Sequence, residues 1–575
     1  MDASGEKFTE AKENGAVRGS SDPEAAGGCC SCPAGKRLVP PEYRNELRHL
    51  FKLAGPVVIS QTMTFMISFV STIFCGHLGK TELAGVSLSI AVVNVTGVSI
   101  GTGLSLTCDT LISQTYGSGN LKRVGVILQR GVLILLLACF PCWAVLINTE
   151  ALLLAAQQSP EVASLTQLYV KIFMPALPAA FMYQLQGRYL QNQGIIWPQV
   201  VTGAIANLCN AGINYLLLFH LELGVAGSAA ANAISQFIQA LVLFIYICVM
   251  GLHKATWDGW SLECLQEWGP FVRLAIPSML MLCLEWWLFE VGAFLAGLIS
   301  EADLGAQSIT YELTVIAYMV PMGLSAAASV RVGNALGAGK PEQAKLSCIV
   351  PVVCTCKKQQ ATQTDTDILE KVSAVLVVFF FMHLADAIAG VTGGVLRGAG
   401  KQMVGALCNL VGHYFIGLPI GVSLMFAAHM GIIGLWTGLT VCVFMQASFF
   451  VIYLCRLDWQ KASKEVSHVA VFAVYLKVNF RLMSVPVLWV LSSHVLPGPA
   501  RRHTDVSTVD AACKDLEGAS AAAAQTERNV TTTTTVGDLL SGTQLVLRRG
   551  SALLVMLAIM AAGILLSHFL TPLLK

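Results

Sequence analysis

The sequence contains few charged residues for its length. Only 12% of its 575 residues are Asp, Glu, Lys or Arg, whereas soluble domains carry about 25%. Hydrophobic residues make up 55% of the chain, the mean hydropathy is +0.66, and the apolar residues are grouped in long runs. This composition excludes an ordinary soluble protein and predicts a polytopic all-α membrane protein. The net charge of +2 gives no support for a nucleic-acid partner, and we expect none.

Motifs of common pumps and metalloenzymes are also missing. The sequence contains no Walker A sequence and no HExxH. We therefore expect neither an enzyme nor an ATP-driven pump, and we expect no cofactor and no bound metal. An ion gradient is the expected energy source. Three cysteines near the amino terminus, Cys29, Cys30 and Cys32, cannot close a zinc site alone, and both palmitoylation and a plain exposed tail are open interpretations.

Twelve apolar runs are long enough to span the hydrocarbon core of a bilayer, which is about 30 Å thick. They lie at residues 53–74, 84–108, 124–147, 168–187, 195–219, 225–251, 272–299, 304–329, 370–396, 402–427, 430–455 and 550–571. The predicted segments are a disordered cytosolic tail (1–50), a first six-helix lobe (51–251), a cytosolic connector (252–270), a second six-helix lobe (271–456), a largely disordered cytosolic linker (457–547) and a thirteenth helix (548–575).

Basic residues predict the orientation of these spans. The loops at 148–167, 219–224, 299–303 and 426–430 contain no Lys or Arg. Eleven basic residues near the ends of the spans fall on the opposite side: Lys122, Arg123, Arg188, Lys254, Lys340, Lys345, Arg397, Lys401, Arg456, Lys461 and Lys464. Because basic loops stay in the cytosol, the amino terminus is predicted to be cytosolic and Lys575 extracellular.

The two predicted lobes share a duplicated segment. Residues 103–119 read GLSLTCDTLISQTYGSG, and residues 323–339 read GLSAAASVRVGNALGAG, at an offset of 220. Internal duplication is common in secondary transporters. With six spans per lobe, both copies have the same orientation, so the sequence predicts a parallel repeat whose pseudo-twofold axis lies along the membrane normal. The glycines of this segment are more readily explained by tight turns than by binding.

The ninth span is predicted to be truncated. The first lobe has 75 positions between Gly119 and Gly194, whereas the second has 61 between Gly339 and Gly400. Only the short apolar piece 346–356 fills the second gap, and eleven helical residues extend about 16 Å, half a membrane. A splice variant or a gap in the gene model would explain this length, and restoring about 15–25 residues would complete the span.

Carboxylates inside membrane spans are costly and are therefore functional candidates. The second lobe contains Glu285, Glu290, Glu312 and Asp386. Glu285 and Glu290 are five positions apart, roughly 140° around a helix, so one can face a central cavity while the other packs against neighbouring helices. His383 precedes Asp386 by one turn and is better explained as a hydrogen-bonding partner than as a proton relay.

The first lobe offers fewer candidates. Asp109 is its comparable acid, and we favour a structural role for it; the first span carries Gln61 instead of an acid. Asn94 in the second span is a further candidate for substrate contact. A structural role as a hydrogen-bonding partner also remains open for each carboxylate of the second lobe.

A carboxylate in a cavity can hold a proton or bind a cation, but not both at once, and this competition is the minimal chemistry of an antiporter. Aromatic rings beside the acid favour an organic cation by about 0.5–2 kcal/mol per contact. The candidates are Trp286, Trp287, Phe289, Tyr311 and Tyr318, of which we expect two or three to contact substrate and the rest to serve packing.

The segment from Pro321 to Gly339 resembles the multidrug and toxin extrusion (MATE) family. Leu53-Ala-Gly-Pro56 with Gly76-His-Leu-Gly79 does so too, and Glu285-Trp-Trp together with Leu545–Arg549 is similar to its vertebrate kidney and liver branch. The resemblance covers about residues 40–460 and 540–575.

This resemblance implies two six-helix bundles around a central cavity and electroneutral exchange of protons for organic cations, such as tetraethylammonium, at the plasma membrane, apical in epithelia. The essential acids implied are Glu285, Glu290 and Glu312, with Asp386 standing where relatives have Glu. Cys75 and Cys139 match cysteines implicated in substrate binding. We expect a monomer whose partners are small organic cations, protons and the lipid bilayer.

Several other functions are compatible with the same residues. A sodium-coupled exporter or a lipid flippase would have a similar architecture. The truncated ninth span and the apolar insert at 466–496 also leave open an isoform or scaffold that does not transport. A receptor is disfavoured, because it would require neither duplicated lobes nor several intramembrane acids.

Overall fold

A computed structural model describes residues 41–297, 301–362, 373–466 and 540–574. The predictions for residues 1–40, for the Cys29–Cys32 cluster and for residues 467–539 of the linker lie outside these ranges. The boundaries predicted for the tail and the linker were wrong, because residues 41–50 are helical and bury Glu46 and Leu50, and residues 459–466 and 542–547 are helical as well. Within them the chain is helical and contains no strand.

The described residues form thirteen long helices. They are α1 (Pro41–Cys75), α2 (Thr81–Gly117), α3 (Leu121–Ile147), α4 (Pro160–Asn192), α5 (Trp197–His220), α6 (Gly224–Val249), α7 (Trp268–Gly297), α8 (Glu301–Gly337), α9 (Pro341–Thr362), α10 (Ser373–Gly398), α11 (Gln402–Ala427), α12 (Gly431–Arg456) and α13 (Gly542–Leu574). Each of the twelve predicted apolar runs overlaps one of these helices, so the prediction of a polytopic all-α fold is confirmed. We refer to α1–α6 as the first lobe and to α7–α12 as the second lobe.

Eleven helices in the described ranges are long and apolar enough to cross a membrane. Neither α9 nor α10 is among them. The helix α9 nevertheless contains 22 residues and is therefore about 33 Å long. It extends beyond the predicted apolar piece because Lys357–Gln360 continue the helix with polar residues. The backbone is thus longer than the hydropathy indicated, and truncation of the ninth span stays a prediction.

The helix boundaries follow from local sequence. The Ser159 hydroxyl accepts a hydrogen bond from the Val162 amide at the start of α4, where Pro160 occupies the first helical position. After α2 and α8, Gly119 and Gly339 adopt φ angles of +79° and +69°, which glycine tolerates without steric cost. These two positions are equivalent in the duplicated segment, so the turn expected there is present in both lobes.

The turns around Lys122, Lys340 and Lys401 lie at one end of the helical bundle, which we call the basic end. Contacts between the lobes are made there. Leu50 and Ala54 of α1 pack in one buried cluster with Leu324 of α8 and Val350 of α9. Near the middle of the bundle, the Trp287 indole N–H donates to the Val95 carbonyl of α2 at 3.0 Å.

The thirteenth helix packs along α3. Arg549 near its start lies 4.2 Å over the ring of Trp268 and donates to the Leu265 carbonyl at 2.8 Å, in the connector before α7. Farther along, the Asn148 amide donates to the Gly563 carbonyl at 2.9 Å. Since α3 begins at the basic end and Asn148 follows its last residue, α13 runs from the basic end to the opposite end.

Candidate functional site

A small polar cavity of about 60 Å³ lies between the two lobes. Four residues of the first lobe line it, namely Gln61, Thr102, Leu106 and Arg188. The second lobe supplies Met281, Leu282, Glu285, Trp286, Tyr318, Met322, Ser325, Ala326, Asp386, Ala389, Gly390, Arg397 and Gln446. Most of the polar groups therefore come from the second lobe, as the distribution of acids in the sequence indicated.

The acidic side of the cavity carries Glu285 of α7 and Asp386 of α10, with Tyr318 of α8 beside them. The Tyr318 hydroxyl and Glu285 form a hydrogen bond. Gly390 leaves room for the Tyr318 side chain, because a Cβ at that position would overlap the Tyr318 hydroxyl oxygen. Two carboxylates from different helices thus line one cavity.

Gln61 and Trp286 line the same cavity. Trp286 supplies an aromatic face beside the acids, and such a face attracts cations electrostatically. Its neighbour Trp287 instead joins α7 to α2 through its indole N–H. Two adjacent tryptophans thus have separate surroundings, and one of them contacts the cavity.

The side of the cavity toward the basic end carries two arginines. Arg188 Nη1 lies 3.5 Å from Asp109 Oδ2, and Asn192 donates to Asp109 Oδ1 at 3.1 Å. Asp109 is 1% exposed and Arg188 is 5% exposed. The role we favoured for Asp109, a structural one, fits this buried ion pair between α2 and α4. The second arginine, Arg397 of α10, donates from Nη2 to Ser325 Oγ at 2.8 Å.

Sequence reasoning missed both arginines as site residues, because it placed them in cytosolic loops. Arg188 lies inside α4 and Arg397 in the last turn of α10. The glycines that end these segments, Gly194 and Gly400, have φ angles of +79° and +73°. These glycines could have revealed the arginines from the sequence. A helix that ends at such a glycine includes the arginine that lies a few residues before it.

The cavity is closed toward the basic end by hydrogen bonds between lobes. The Thr110 hydroxyl of α2 donates to the Arg397 carbonyl at 2.6 Å, and the Gln114 amide donates to the Gly398 carbonyl at 3.0 Å. The Gln402 amide donates to the Thr110 hydroxyl. A drug-sized ligand requires a pocket of roughly 300–1,000 Å³, so the cavity must expand before it can accept one.

The other two acids of the second lobe differ in how the structure describes them. Glu290 is half-buried on α7 and is not among the described lining residues. Glu312 belongs to α8, and its side chain lies outside the described part of the chain. The His383 ring hydrogen-bonds to the backbone of Ala317 on α8, the kind of contact we expected for it.

Four other candidates lie elsewhere in the bundle. Tyr311 packs against Phe289 with ring centroids 5.5 Å apart, within the second lobe. Asn94 begins a wide helical turn in α2, a feature often found at functional sites. Cys75 and Cys139 are buried in the core of the first lobe and are not among the described lining residues. Their part in substrate binding stays a prediction.

The geometry defines a class of protein. Many membrane-spanning helices surround an inter-lobe cavity that is lined by acids, arginines and aromatic rings. Contacts between the lobes close this cavity at one end. This arrangement is the one expected of a multi-pass membrane transporter that alternates access between its two sides.

Comparison with known proteins gives the family. The family model MatE matches residues 56–216 and 277–356. Multidrug and toxin extrusion protein 1 of Danio rerio is 58% identical over 565 residues, which cover 94% of this chain and 93% of the relative. The Homo sapiens protein of the same name is 51% identical over 545 residues, covering 92% and 94%. The crystal structure of the eukaryotic MATE transporter AtDTX14 is 27% identical, with a TM-score of 0.70, over 74% of this chain and 99% of that one. The chain therefore belongs to the multidrug and toxin extrusion family of membrane transporters.

Proposed function

We propose that the chain exports small organic cations in exchange for protons across the plasma membrane. The observation that carries this proposal is the pair of carboxylates, Glu285 and Asp386, on one cavity between the lobes. Both are intramembrane acids, and such acids are common in proton relays and cation pathways. Trp286 beside them favours an organic cation over a small inorganic one.

Competition at the acids would couple the two fluxes. When the cavity faces an acidic exterior, one proton binds the pair formed by Glu285 and Asp386 and the organic cation is released. When the cavity faces the cytosol, that proton leaves and the pair binds a new cation. Exchange then requires no net charge movement if one proton replaces one monovalent cation. Glu290 and Glu312 stay part of this proposal as further acids of the second lobe that bind protons or cations.

The orientation belongs to the same proposal. We place the basic end and the amino terminus in the cytosol, following the positive-inside rule. The path of α13 along α3 supports an extracellular carboxy terminus. We also propose an apical location in epithelia, which the family resemblance implies, and a monomeric state.

Transport of tetraethylammonium by the purified chain in liposomes tests the proposal. A pH gradient that is acidic inside should drive uptake of the radiolabelled cation, and Glu285→Gln should reduce the initial rate by about tenfold or more, equivalent to 1.4 kcal/mol or more of lost stabilisation. Asp258→Asn is the matched control, because Asp258 is an acid of the exposed connector that pairs with Lys122.

The alternatives give different results in the same liposomes. Uptake that follows sodium at fixed pH would indicate a sodium-coupled exporter. Movement of a labelled phospholipid without cation uptake would indicate a flippase. A folded wild-type chain that moves none of these would indicate the isoform or scaffold that does not transport. Transport by Glu285→Gln at the wild-type rate would show that Glu285 has no role in the mechanism.

A further inference from the structure

Arg397 places a cation inside the cavity that carries Glu285 and Asp386. Arg397 is half-buried as a residue, and its Nε atom is buried. A guanidinium in a membrane bundle is costly unless opposite charge compensates it. Among the described ion pairs closer than 4.0 Å, none includes Arg397. Its charge must therefore be balanced over longer distances by the carboxylates around it.

The nearest acid of the first lobe is already engaged. Asp109 pairs with Arg188 and accepts a hydrogen bond from Asn192. The acids left with unassigned charge on this cavity are Glu285 and Asp386. Asp109 is also the strongest charge neighbour of Arg397, and Glu285 interacts with Arg397 electrostatically as well. The charge of Arg397 is therefore divided between the Asp109–Arg188 pair and the acids of the cavity, of which Asp386 interacts with it through Glu285.

The contacts of Arg397 leave its side chain only partly held. Nη2 donates to Ser325 Oγ at 2.8 Å, while Nε is buried without a partner among the described residues. Ser325 is itself fixed, because its hydroxyl donates to the Gly390 carbonyl at 2.6 Å. Ser325 therefore holds the guanidinium at one of its nitrogens, and no described acid lies within ion-pair distance of it.

We infer that Arg397 is a built-in competitor of the transported cation: its guanidinium shares the negative charge of Glu285 and Asp386 and weakens the binding of an organic cation there. The inference rests on the proposed function. Guanidinium suits this role, because it is itself an organic cation with several donors that match carboxylates. Replacing Arg397 by an uncharged residue leaves the negative charge of both acids available to the substrate.

The backbone of Arg397 links this competition to the state of the lobes. Its carbonyl accepts the hydrogen bond from Thr110 of the first lobe at 2.6 Å, and the next carbonyl accepts one from Gln114. These bonds fix the last turn of α10 while the basic end is closed. When the lobes separate there, the bonds break and Arg397 is free to move relative to the acids.

The expected effect is on affinity. A fixed unit charge about 10 Å from a bound cation, at an effective dielectric constant near 20, changes the affinity of the site for that cation by on the order of tenfold. Arg397→Gln should therefore lower the KM for tetraethylammonium by about tenfold, and it should lower the maximal rate because a tightly bound cation leaves more slowly. Arg397→Lys, which keeps the charge, should stay close to wild type.

A second variant tests the direction independently. Ser325→Ala releases Nη2 from its hydroxyl partner, so the guanidinium can move toward the acids and compete better. This variant should raise the KM for tetraethylammonium, opposite to Arg397→Gln. If Arg397 served only packing, the two variants would change the amount of folded protein and the maximal rate. They would not change the KM in opposite directions.

The experiment measures initial rates of pH-driven tetraethylammonium uptake in liposomes across a range of substrate concentrations. Arg130→Gln is the control, because Arg130 is also a buried arginine, held by Glu267, and does not line the cavity; its KM should equal that of wild type. An unchanged or raised KM in Arg397→Gln, or equal KM values for the Gln and Lys variants, would overturn the inference. Absence of pH-driven uptake by the wild type would instead refute the proposed function.

Discussion

Gly117 of α2 packs against the backbone of Asn334 in α8, and Gly337 of α8 packs against the backbone of Gln114 in α2. The two glycines are 220 positions apart, as are Gln114 and Asn334, so the contact is repeated by the pseudo-twofold relation of the lobes. A Cβ at either glycine would overlap the facing carbonyl oxygen. The duplicated segment thus forms a self-complementary joint at the basic end.

This joint leads to a prediction for closure. Gly337→Val should prevent the close approach of α2 and α8, because the new side chain meets rigid backbone and not a movable side chain. We expect the chain to insert in the membrane but to lose most of its transport, since the basic end cannot close. Initial rates of tetraethylammonium uptake in liposomes, normalised to the amount of protein, measure the effect.

A matched control is available in α5. A Cβ added at Gly212 would meet no neighbouring atom within 4 Å, so Gly212→Val should leave uptake near the wild-type rate. The same substitution at Gly117 should reproduce the defect of Gly337→Val, since the two positions make equivalent contacts. Full activity of either joint variant would show that this contact is not needed for the cycle.

The ion pair between Asp109 and Arg188 leads to a prediction for stability. Asp109→Asn leaves the buried Arg188 guanidinium without its carboxylate, and breaking a buried pair costs about 3–5 kcal/mol. The midpoint of thermal unfolding in detergent should fall strongly. Arg188→Gln should have a comparable effect, and the double variant should lose less than the sum of the two single losses.

Additive losses in that double-mutant cycle would mean that the two residues do not act as a pair. Lys122→Gln with Asp258→Asn provides the comparison, because this ion pair between the first turn of α3 and the connector is exposed to solvent. Exposed pairs contribute about 0–1 kcal/mol, so its cycle should show little coupling and little change in unfolding temperature.

The sequence predicted the spans because each buries an apolar run of about twenty residues or more, and this signal does not depend on tertiary contacts. Glu285, Asp386, Trp286 and Gln61 were predicted on the same basis, as polar or aromatic residues inside spans. Which of them meet at one cavity depends on how α7, α8 and α10 pack, and helix periodicity alone does not specify that.

The arginines show why part of the site escaped sequence reasoning. A basic residue near the end of an apolar run has the pattern of a cytosolic loop, and Arg188 and Arg397 have this pattern. Their burial depends on partners that are distant in sequence, Asp109 for the first and Ser325 for the second. Sequence reasoning also underestimated the length of α9, because hydropathy identifies the apolar part of a helix and not its polar continuation.

The attachment of α13 leads to the last prediction. Arg549 joins this helix to the connector by its stacking on Trp268 and its hydrogen bond to the Leu265 carbonyl. Arg549→Ala should destabilise the docked helix by roughly 1–2 kcal/mol, from the cation–π contact and one hydrogen bond together. Proteolysis of the linker in purified protein, followed by recovery of the helix with the rest of the chain, measures its attachment.

The neighbouring Arg548 supplies the control, because it has the same charge but is exposed. Arg548→Ala should leave α13 attached after cleavage, whereas Arg549→Ala should release more of it. The KM for tetraethylammonium should be unchanged in both variants, because α13 packs on the outside of the first lobe and does not border the described cavity. A change of KM in Arg549→Ala would show that the connector transmits the position of α13 to α7, the helix that carries Glu285.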